Sequence, residues 1–164
     1  MIVFDTQATI YAVQSAFGYK PADPKIAEIV KKGTRYLLDL QDRGEEVVIS
    51  AITAAEYLAF PGFNEEQRTQ QQRELETRFR IEAFDHRVIP IAAELAAKKA
   101  TLETAADEAG TSRQVIYADL KIYATAVACK ADLLVTYDKG LQSLAKRFAR
   151  ITYSEFPGVQ RKLV

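Results

Sequence analysis

The chain has 164 residues, a length that accommodates one ordinary domain with a substantial core. Hydrophobic residues make up 48% of it and charged residues 27%, a balance typical of globular rather than disordered proteins. Its 22 lysines and arginines equal its 22 aspartates and glutamates, which excludes a strongly basic nucleic-acid coat protein but not a local basic patch.

Five short apolar runs predict β-strands. The stronger runs do not alternate with polar residues, which is typical of strands buried on both faces of a parallel sheet. In chain order the predicted strands are Met1–Phe4, Val47–Ile49, Arg80–Phe84, Leu133–Thr136 and Ala149–Tyr153.

Between these runs, apolar residues recur at spacings of three and four, which predicts helices. Gly33 interrupts the first pattern and could divide that helix in two. The predicted helices are Pro24–Leu40, Ala54–Ala59 with Thr53 as N-cap, Asn64–Arg78, Val88–Ala109, Val115–Lys130 and Asp138–Arg147. Strands that alternate with helices predict one α/β domain over residues 1–164, with a parallel sheet of about four to five strands between helical layers.

A single cysteine, Cys129, and a single histidine, His86, limit the possible chemistry. They exclude an internal disulfide and a cysteine-ligated metal cage, and they disfavour Ser-His catalysis. No basic segment with a long apolar stretch precedes Asp5, and no run reaches the roughly 20 apolar residues that span a bilayer. We therefore expect a cytoplasmic protein without a membrane segment.

Carboxylates stand where the predicted strands end. Asp5 directly follows the first strand, and Asp138 comes two residues after Thr136 in the fourth. Because the carboxyl ends of parallel strands share one edge, both acids are expected at one rim of the sheet. Glu56 lies in the helix after the second strand, and Asp119 lies in an apolar helix, where a carboxylate is paired, metal-bound or turned to solvent.

Gathered carboxylates repel one another, and burial raises their pKa values. A divalent cation that prefers oxygen ligands, such as Mg²⁺, relieves that repulsion and supports phosphodiester hydrolysis. Taken singly, Asp5 could simply end a strand at a turn, and Asp138 could be an ordinary helix cap.

Four segments carry a family resemblance. They are Ile2–Ile10 with its Asp-Thr pair, Val48–Glu56, Ala118–Ala126 and Leu133–Asp138. In this order they resemble the PIN-domain family, and within it the ribonuclease toxins of VapBC-type toxin–antitoxin pairs. The stretch Ile81–Ala97 resembles the strand and helix that precede the third motif, so the resemblance covers nearly the whole chain.

The resemblance implies an endoribonuclease that requires Mg²⁺ or Mn²⁺ and leaves a 5′-phosphate and a 3′-hydroxyl. It also implies a homodimer and a cognate antitoxin laid across the site. The positions matching the family's catalytic, metal-binding acids are Asp5, Glu56, Asp119 and Asp138, with Thr6 and Thr136 in support. By analogy, the candidates for the dimer face are Tyr11, Phe17 and Tyr19.

Two residues depart from the family pattern. Gln7 replaces the Ser or Asn that commonly follows Asp-Thr, and Tyr137 replaces the Asn that usually precedes the last Asp. Neither departure removes a carboxylate, so they put substrate preference in doubt more than activity. Gln7 also argues against a haloacid-dehalogenase-type phosphotransferase, which needs an acid two residues after its nucleophilic Asp5. A non-catalytic PIN domain that binds RNA or a partner is disfavoured because all four acidic positions are kept.

Two charged features have two interpretations each. The polar segment 64–80 is either a solvated helix with pairs such as Glu74–Arg78, or an arm that grips RNA or an antitoxin. The basic residues after the last motif either neutralise phosphates or favour a helix C-terminus. These are Lys139, Lys146, Arg147 and Arg150.

Overall fold

The computed structural model describes residues 1–14 and 21–157. Within them lies a five-stranded sheet in which every neighbouring pair is parallel, in the order β3-β2-β1-β4-β5. The strands are β1 (Ile2–Phe4), β2 (Val47–Ser50), β3 (Arg80–Glu82), β4 (Leu133–Val135) and β5 (Thr152–Ser154). All five predicted strands are confirmed, although β5 begins later because Ala149 ends the preceding helix in a left-handed conformation.

Helices connect the strands. They are α1 (Thr6–Val13), α2 (Pro24–Asp42), α3 (Ala51–Leu58), α4 (Glu65–Arg78), α5 (Val88–Ala96), α6 (Lys99–Ala109), α7 (Arg113–Ala128) and α8 (Lys139–Phe148). In the described part of the chain, no helix is long and apolar enough to cross a membrane.

The sheet separates two hydrophobic cores. Side chains of β1 alternate between them: Val3 joins the core formed with α5–α8, whereas Ile2 and Phe4 join the core formed with α1–α4. Val3 and Phe4 are both fully buried. This two-sided burial explains the unbroken apolar runs in the sequence and confirms the predicted α/β/α sandwich.

The prediction of one helix over Val88–Ala109 is wrong. The chain breaks between α5 and α6 at Ala97 and Lys98, where Lys98 leaves helical geometry with ψ of 61°. Because α5 packs on α7 while α6 packs on both α7 and α8, the two halves need different directions. Apolar spacing does not reveal such a change of direction, since both helices bury apolar faces.

Two other helix predictions need correction. Gly33 does not divide α2, which is continuous; a Cβ at Gly33 would lie 2.6 Å from the ring of Phe156, so the glycine serves close packing. Helix α3 begins at Ala51, because the Ser50 hydroxyl accepts a hydrogen bond from the Thr53 amide at 2.9 Å and so caps the helix in place of Thr53.

Helix α4 lies against the body of the protein. The Tyr57 hydroxyl donates to Gln71 Oε1 at 2.5 Å, and Leu75 is buried in the core on that side of the sheet. The predicted pair of Glu74 and Arg78 is present, with a nitrogen–oxygen distance of 3.0 Å. A role of this helix in gripping RNA or an antitoxin stays a prediction.

Strand register sets the geometry of the sheet's carboxyl edge. Phe4 in β1 is aligned with Ile49 in β2 and with Val135 in β4. The residue after each strand therefore reaches the same edge, which brings Asp5 next to Thr136. The Asp5 amide donates to the Val135 carbonyl at 3.1 Å and continues the ladder to that point.

Candidate active site

Asp5 is held at the centre of the edge by two elements. It caps α1, where one carboxylate oxygen accepts from the Ala8 amide at 2.6 Å. The other oxygen accepts from the Thr136 hydroxyl, and that hydroxyl oxygen accepts from the Asp138 amide at 3.0 Å. Asp5 is buried, so these bonds fix its orientation.

Asp138 caps the other helix at this edge, α8. One oxygen of its carboxylate accepts from the Leu141 amide at 2.9 Å. Both Asp5 and Asp138 are therefore ordinary helix caps as well as candidate site residues. Capping uses one oxygen of Asp138, and the second accepts no hydrogen bond from the described residues, so it is available to a ligand.

Asp119 approaches the same point from α7. It is buried, and its Oδ2 atom has no hydrogen-bond partner among residues 1–14 and 21–157. A Cβ at Gly140 would lie 2.2 Å from that oxygen and 3.0 Å from Asp138 Oδ1. Glycine at position 140 thus provides the space in which these two carboxylates approach each other.

Glu56 joins from α3 on the opposite side. Its side chain is exposed, and Oε2 accepts a hydrogen bond from the Thr6 hydroxyl in the first turn of α1. Because Thr6 directly follows Asp5 in the sequence, this bond brings Glu56 close to Asp5 in space.

The four predicted acids line one pocket of about 310 Å³. The remaining lining residues are Thr6, Gln7, Ile10, Ile122 and Leu141, so no lysine, arginine or histidine of the described chain contributes to it. As the side chains stand, no group of three Asp, Glu, His or Cys residues in the described ranges is arranged to hold a metal ion. The acids therefore share a pocket without forming a closed ligand shell.

Burial and the close approach of like charges determine the electrostatics of the pocket. Burial, together with the negative charges of Asp138, Glu56 and Asp5, raises the pKa of Asp119 to about 7. Burial raises the pKa of Asp5 to about 6, although the hydrogen bonds from Thr136 and Ala8 act in the opposite direction. At neutral pH this pocket favours either a proton or a cation.

The donor set fits a divalent cation with a preference for oxygen. The available ligands are carboxylate oxygens, one of which is buried on Asp119 without a partner. A Cβ at Gly140 would occupy the space between that oxygen and Asp138. A buried carboxylate oxygen without a hydrogen-bond partner among the described residues, next to space kept open by a glycine, is the arrangement expected where a ligand completes the site.

Sequence reasoning missed Gly140 altogether. A glycine at the second position of a helix has low helix propensity, and its place two residues after Asp138 was a usable signal. The supporting positions Thr6 and Thr136 do lie at the site, where each donates its hydroxyl hydrogen to a carboxylate.

The other candidate residues are distributed around the fold. Arg147 pairs with Glu108 and Arg150 with Glu94, on the side of the protein formed by α5, α6 and α8. Tyr11 contacts the ring of Tyr137 close to the pocket. The remaining two candidates for a dimer face, Phe17 and Tyr19, lie outside the described residues.

Comparisons with solved structures find the same fold in other proteins. A chain of the VapBC2 complex from Rickettsia felis, solved bound to a DNA fragment from its promoter, matches with a TM-score of 0.58 and 20% identity over 96% of this chain and 100% of that chain. A chain of VapBC-1 from nontypeable Haemophilus influenzae matches with a TM-score of 0.60 and 18% identity over 95% and 98%.

At these identities the two likenesses show the fold alone. A comparison with curated proteins found no match. The sequence pattern of the PIN domain matches residues 2–147, a span that contains the four motif segments, the stretch Ile81–Ala97 and all four acids of the pocket. The chain belongs to the PIN domain family.

Proposed function

We propose that the chain is a metal-dependent endoribonuclease that hydrolyses RNA phosphodiester bonds. The observation that supports this most directly is the gathering of four carboxylates in a pocket lined by no described lysine, arginine or histidine, with a buried Asp119 oxygen that has no partner among the described residues. Membership of the PIN domain family, whose nucleases use divalent metals, is the second support.

The residues that would hold Mg²⁺ or Mn²⁺ are Asp5, Glu56, Asp119 and Asp138. When bound, such an ion supplies an activated water and neutralises charge on the phosphate. Asp5 and Asp138 keep fixed positions through their helix-capping bonds, and Thr136 couples them. Among the described residues, exposed Glu56 forms a hydrogen bond only with Thr6, so we infer that rotation of its side chain away from Thr6 would complete the ligand set.

The decisive test is RNA cleavage by purified protein. Single-stranded and structured RNAs are incubated with Mg²⁺, Mn²⁺ or EDTA, and the products are mapped for 5′-phosphate and 3′-hydroxyl ends. We expect cleavage with either metal and none with EDTA. Asp119→Asn should abolish cleavage, while Asp107→Asn, an exposed aspartate on α6, serves as the matched control. Cleavage by Asp119→Asn at the parental rate would contradict the proposal.

We further propose that this nuclease is the toxin of a toxin–antitoxin pair and acts in the cytoplasm as a homodimer. The solved structures with the same fold belong to VapBC complexes, which supports an antitoxin partner. Expression of the parent should arrest bacterial growth, expression of Asp119→Asn should not, and co-expression of the antitoxin should restore growth. Light scattering on the purified chain tests the homodimer, and a monomeric mass would contradict it.

A second candidate function is a PIN domain that binds RNA or a partner without cleaving it. It is favoured by one observation: no three acids of the described chain are arranged to hold a metal ion. The same assay separates the two functions, because a binding module retains RNA equally well in Mn²⁺ and EDTA and never shortens it.

A further inference from the structure

A second pocket of about 310 Å³ opens beside the acidic one. The two share Gln7, Asp119 and Asp138, so they form one continuous depression. The second pocket adds no acid; its distinctive lining residues are Thr111, Val115, Tyr137 and Lys139. It therefore differs in character from the acidic pocket, although it adjoins it.

Gln7 is fixed at the boundary between the two pockets. Its side-chain nitrogen donates to the Tyr11 hydroxyl at 2.9 Å, which orients the carboxamide. One N–H of that group and its oxygen make no further hydrogen bond with the described residues, and the side chain is exposed. A carboxamide in this state can donate one hydrogen bond and accept another, which is how glutamine recognises base edges.

Tyr137 provides a rigid aromatic wall. Its ring meets Tyr11 edge-on, with centroids 5.5 Å apart and planes at 85°, and it lies 5.4 Å from the ring of Phe156. Its hydroxyl accepts from the Phe156 amide at 3.3 Å. These contacts hold the ring in place, so a base could pack against it without the cost of ordering a mobile side chain.

The remaining wall supplies an apolar surface and a cation. Val115, in the first turn of α7, leaves 47% of its surface exposed. Exposed Lys139 forms no ion pair with the described residues and stands one residue after Asp138. Val115 therefore offers a base an apolar surface, and Lys139 offers the neighbouring phosphate a positive charge.

We propose that this second pocket holds the nucleotide next to the cleaved bond, with Gln7 and Tyr137 as the residues that determine base preference. The proposal rests on the proposed ribonuclease function and deepens it. Lys139 neutralises the phosphate of that nucleotide without regard to sequence. Because the base must leave its stack to enter the pocket, the substrate is single-stranded RNA.

The test uses a random-sequence single-stranded RNA pool in two parallel measurements. In the first, cleavage sites are sequenced after limited digestion with Mn²⁺. In the second, RNA retained by an Asp5→Asn background is sequenced, because Asp5 lines the acidic pocket but not the second one. Gln7→Ala is compared with Gln72→Ala, an exposed glutamine on α4 that likewise bonds a side chain four residues on, at 2.8 Å.

We expect one position beside the cleaved bond to show a base preference of about fivefold or more. About fivefold is the smallest discrimination expected when a side chain makes two hydrogen bonds to a base. Gln7→Ala should flatten that preference, and Gln72→Ala should leave it intact. Tyr137→Phe should keep it and Tyr137→Ala should lose it; the Phe variant guards against misfolding of the Ala variant. An unchanged preference in Gln7→Ala would overturn the inference while leaving the nuclease function standing.

The two measurements also separate failure of the inference from failure of the proposed function. If the parent never cleaves but the Asp5→Asn background retains RNA with a preference that depends on Gln7, the binding pocket is real and the nuclease proposal is wrong. If nothing is cleaved or retained, both are wrong. The affinity for RNA falls as salt rises, so a plot of log affinity against log salt has a negative slope. Lys139→Gln should make that slope less steep by about 0.7, whereas Lys146→Gln, outside the pocket, should leave it unchanged.

Discussion

Acids on the outer surface and acids in the pocket have opposite surroundings. Glu108 on α6 and Glu94 on α5 each pair with an arginine, and those hydrogen bonds lower both pKa values. In the pocket, no basic side chain of the described residues pairs with Asp119 or Asp5, and burial raises their pKa values to about 7 and about 6. The same residue types are thus paired in one region and left unneutralised in the other.

This difference in surroundings indicates different roles for the two groups of acids. A buried carboxylate without a cation costs folding free energy, and a chain under selection for stability alone would lose it. The outer pairs, by contrast, carry charge that solvent already screens and contribute little to stability. We therefore expect the unneutralised acids of the pocket to bind a cation and to have a chemical role, and we expect neither of the paired acids on the outer surface.

The largest expected effect is on cleavage. Asp5→Asn should lower the rate by at least about 100-fold, because even residues that only orient metal ligands cost 10–100-fold when they are replaced. The matched outer variant, Glu108→Gln, should retain a rate within about twofold of the parent, because Glu108 pairs with Arg147 and does not line the acidic pocket. Initial rates on one labelled RNA with saturating Mn²⁺ make the comparison. Equal losses in both variants would remove the distinction between the two regions.

The next effect tests the space that Gly140 provides. Gly140→Ala places a methyl carbon 2.2 Å from Asp119 Oδ2, so that carboxylate must move. We therefore expect Mn²⁺ affinity to fall by about tenfold, within the range for residues that support metal ligands. Titration calorimetry on the parent and variant measures this. Lys146→Ala, an exposed residue on the same helix, controls for general effects on α8. Unchanged affinity would mean that Gly140 serves packing only.

Much of this arrangement can be predicted from sequence, for identifiable reasons. Unbroken apolar runs located β1, β2 and β4, and weaker runs located β3 and β5. Acids that follow parallel strands reach one edge of the sheet, which is why Asp5 and Asp138 could be assigned to one rim. The break at Lys98 was not predictable, because it depends on which helices α5 and α6 contact. Nor was the bond of Thr6 to Glu56, which depends on how α1 and α3 pack together.

A smaller effect concerns stability and pH in the absence of metal. The pKa of Asp119 is about 7 in the folded protein and 3.8 in an unperturbed aspartate, so the folded chain binds the proton more tightly. Its contribution to stability is fully present below pH 3.8 and is lost as pH rises through about 7. Asp119→Asn should therefore raise Tm by about 2–4 °C at pH 8 in EDTA, an effect of roughly 1 kcal/mol.

The gain in Asp119→Asn should shrink towards zero at pH 4, where the parental carboxyl is largely protonated in the folded state. Adding Mg²⁺ at pH 8 should raise the Tm of the parent but not that of the variant. Thermal unfolding by circular dichroism at the two pH values provides the measurement, with Asp107→Asn as control. A lower Tm for Asp119→Asn at pH 8 would show that the buried carboxylate stabilises the fold.

The smallest effect is expected at the outer pair of Glu94 and Arg150. Glu94 is an exposed carboxylate with its pKa held low by hydrogen bonds from Arg150, so Glu94→Gln should lower Tm by no more than about 2 °C in low salt. High salt should remove the difference, because ions screen an exposed pair. Thermal unfolding at two salt concentrations, with the parent measured alongside, resolves this. A large, salt-independent loss would mean that the outer pairs stabilise this fold, and the two regions would then differ only in whether basic side chains neutralise their acids.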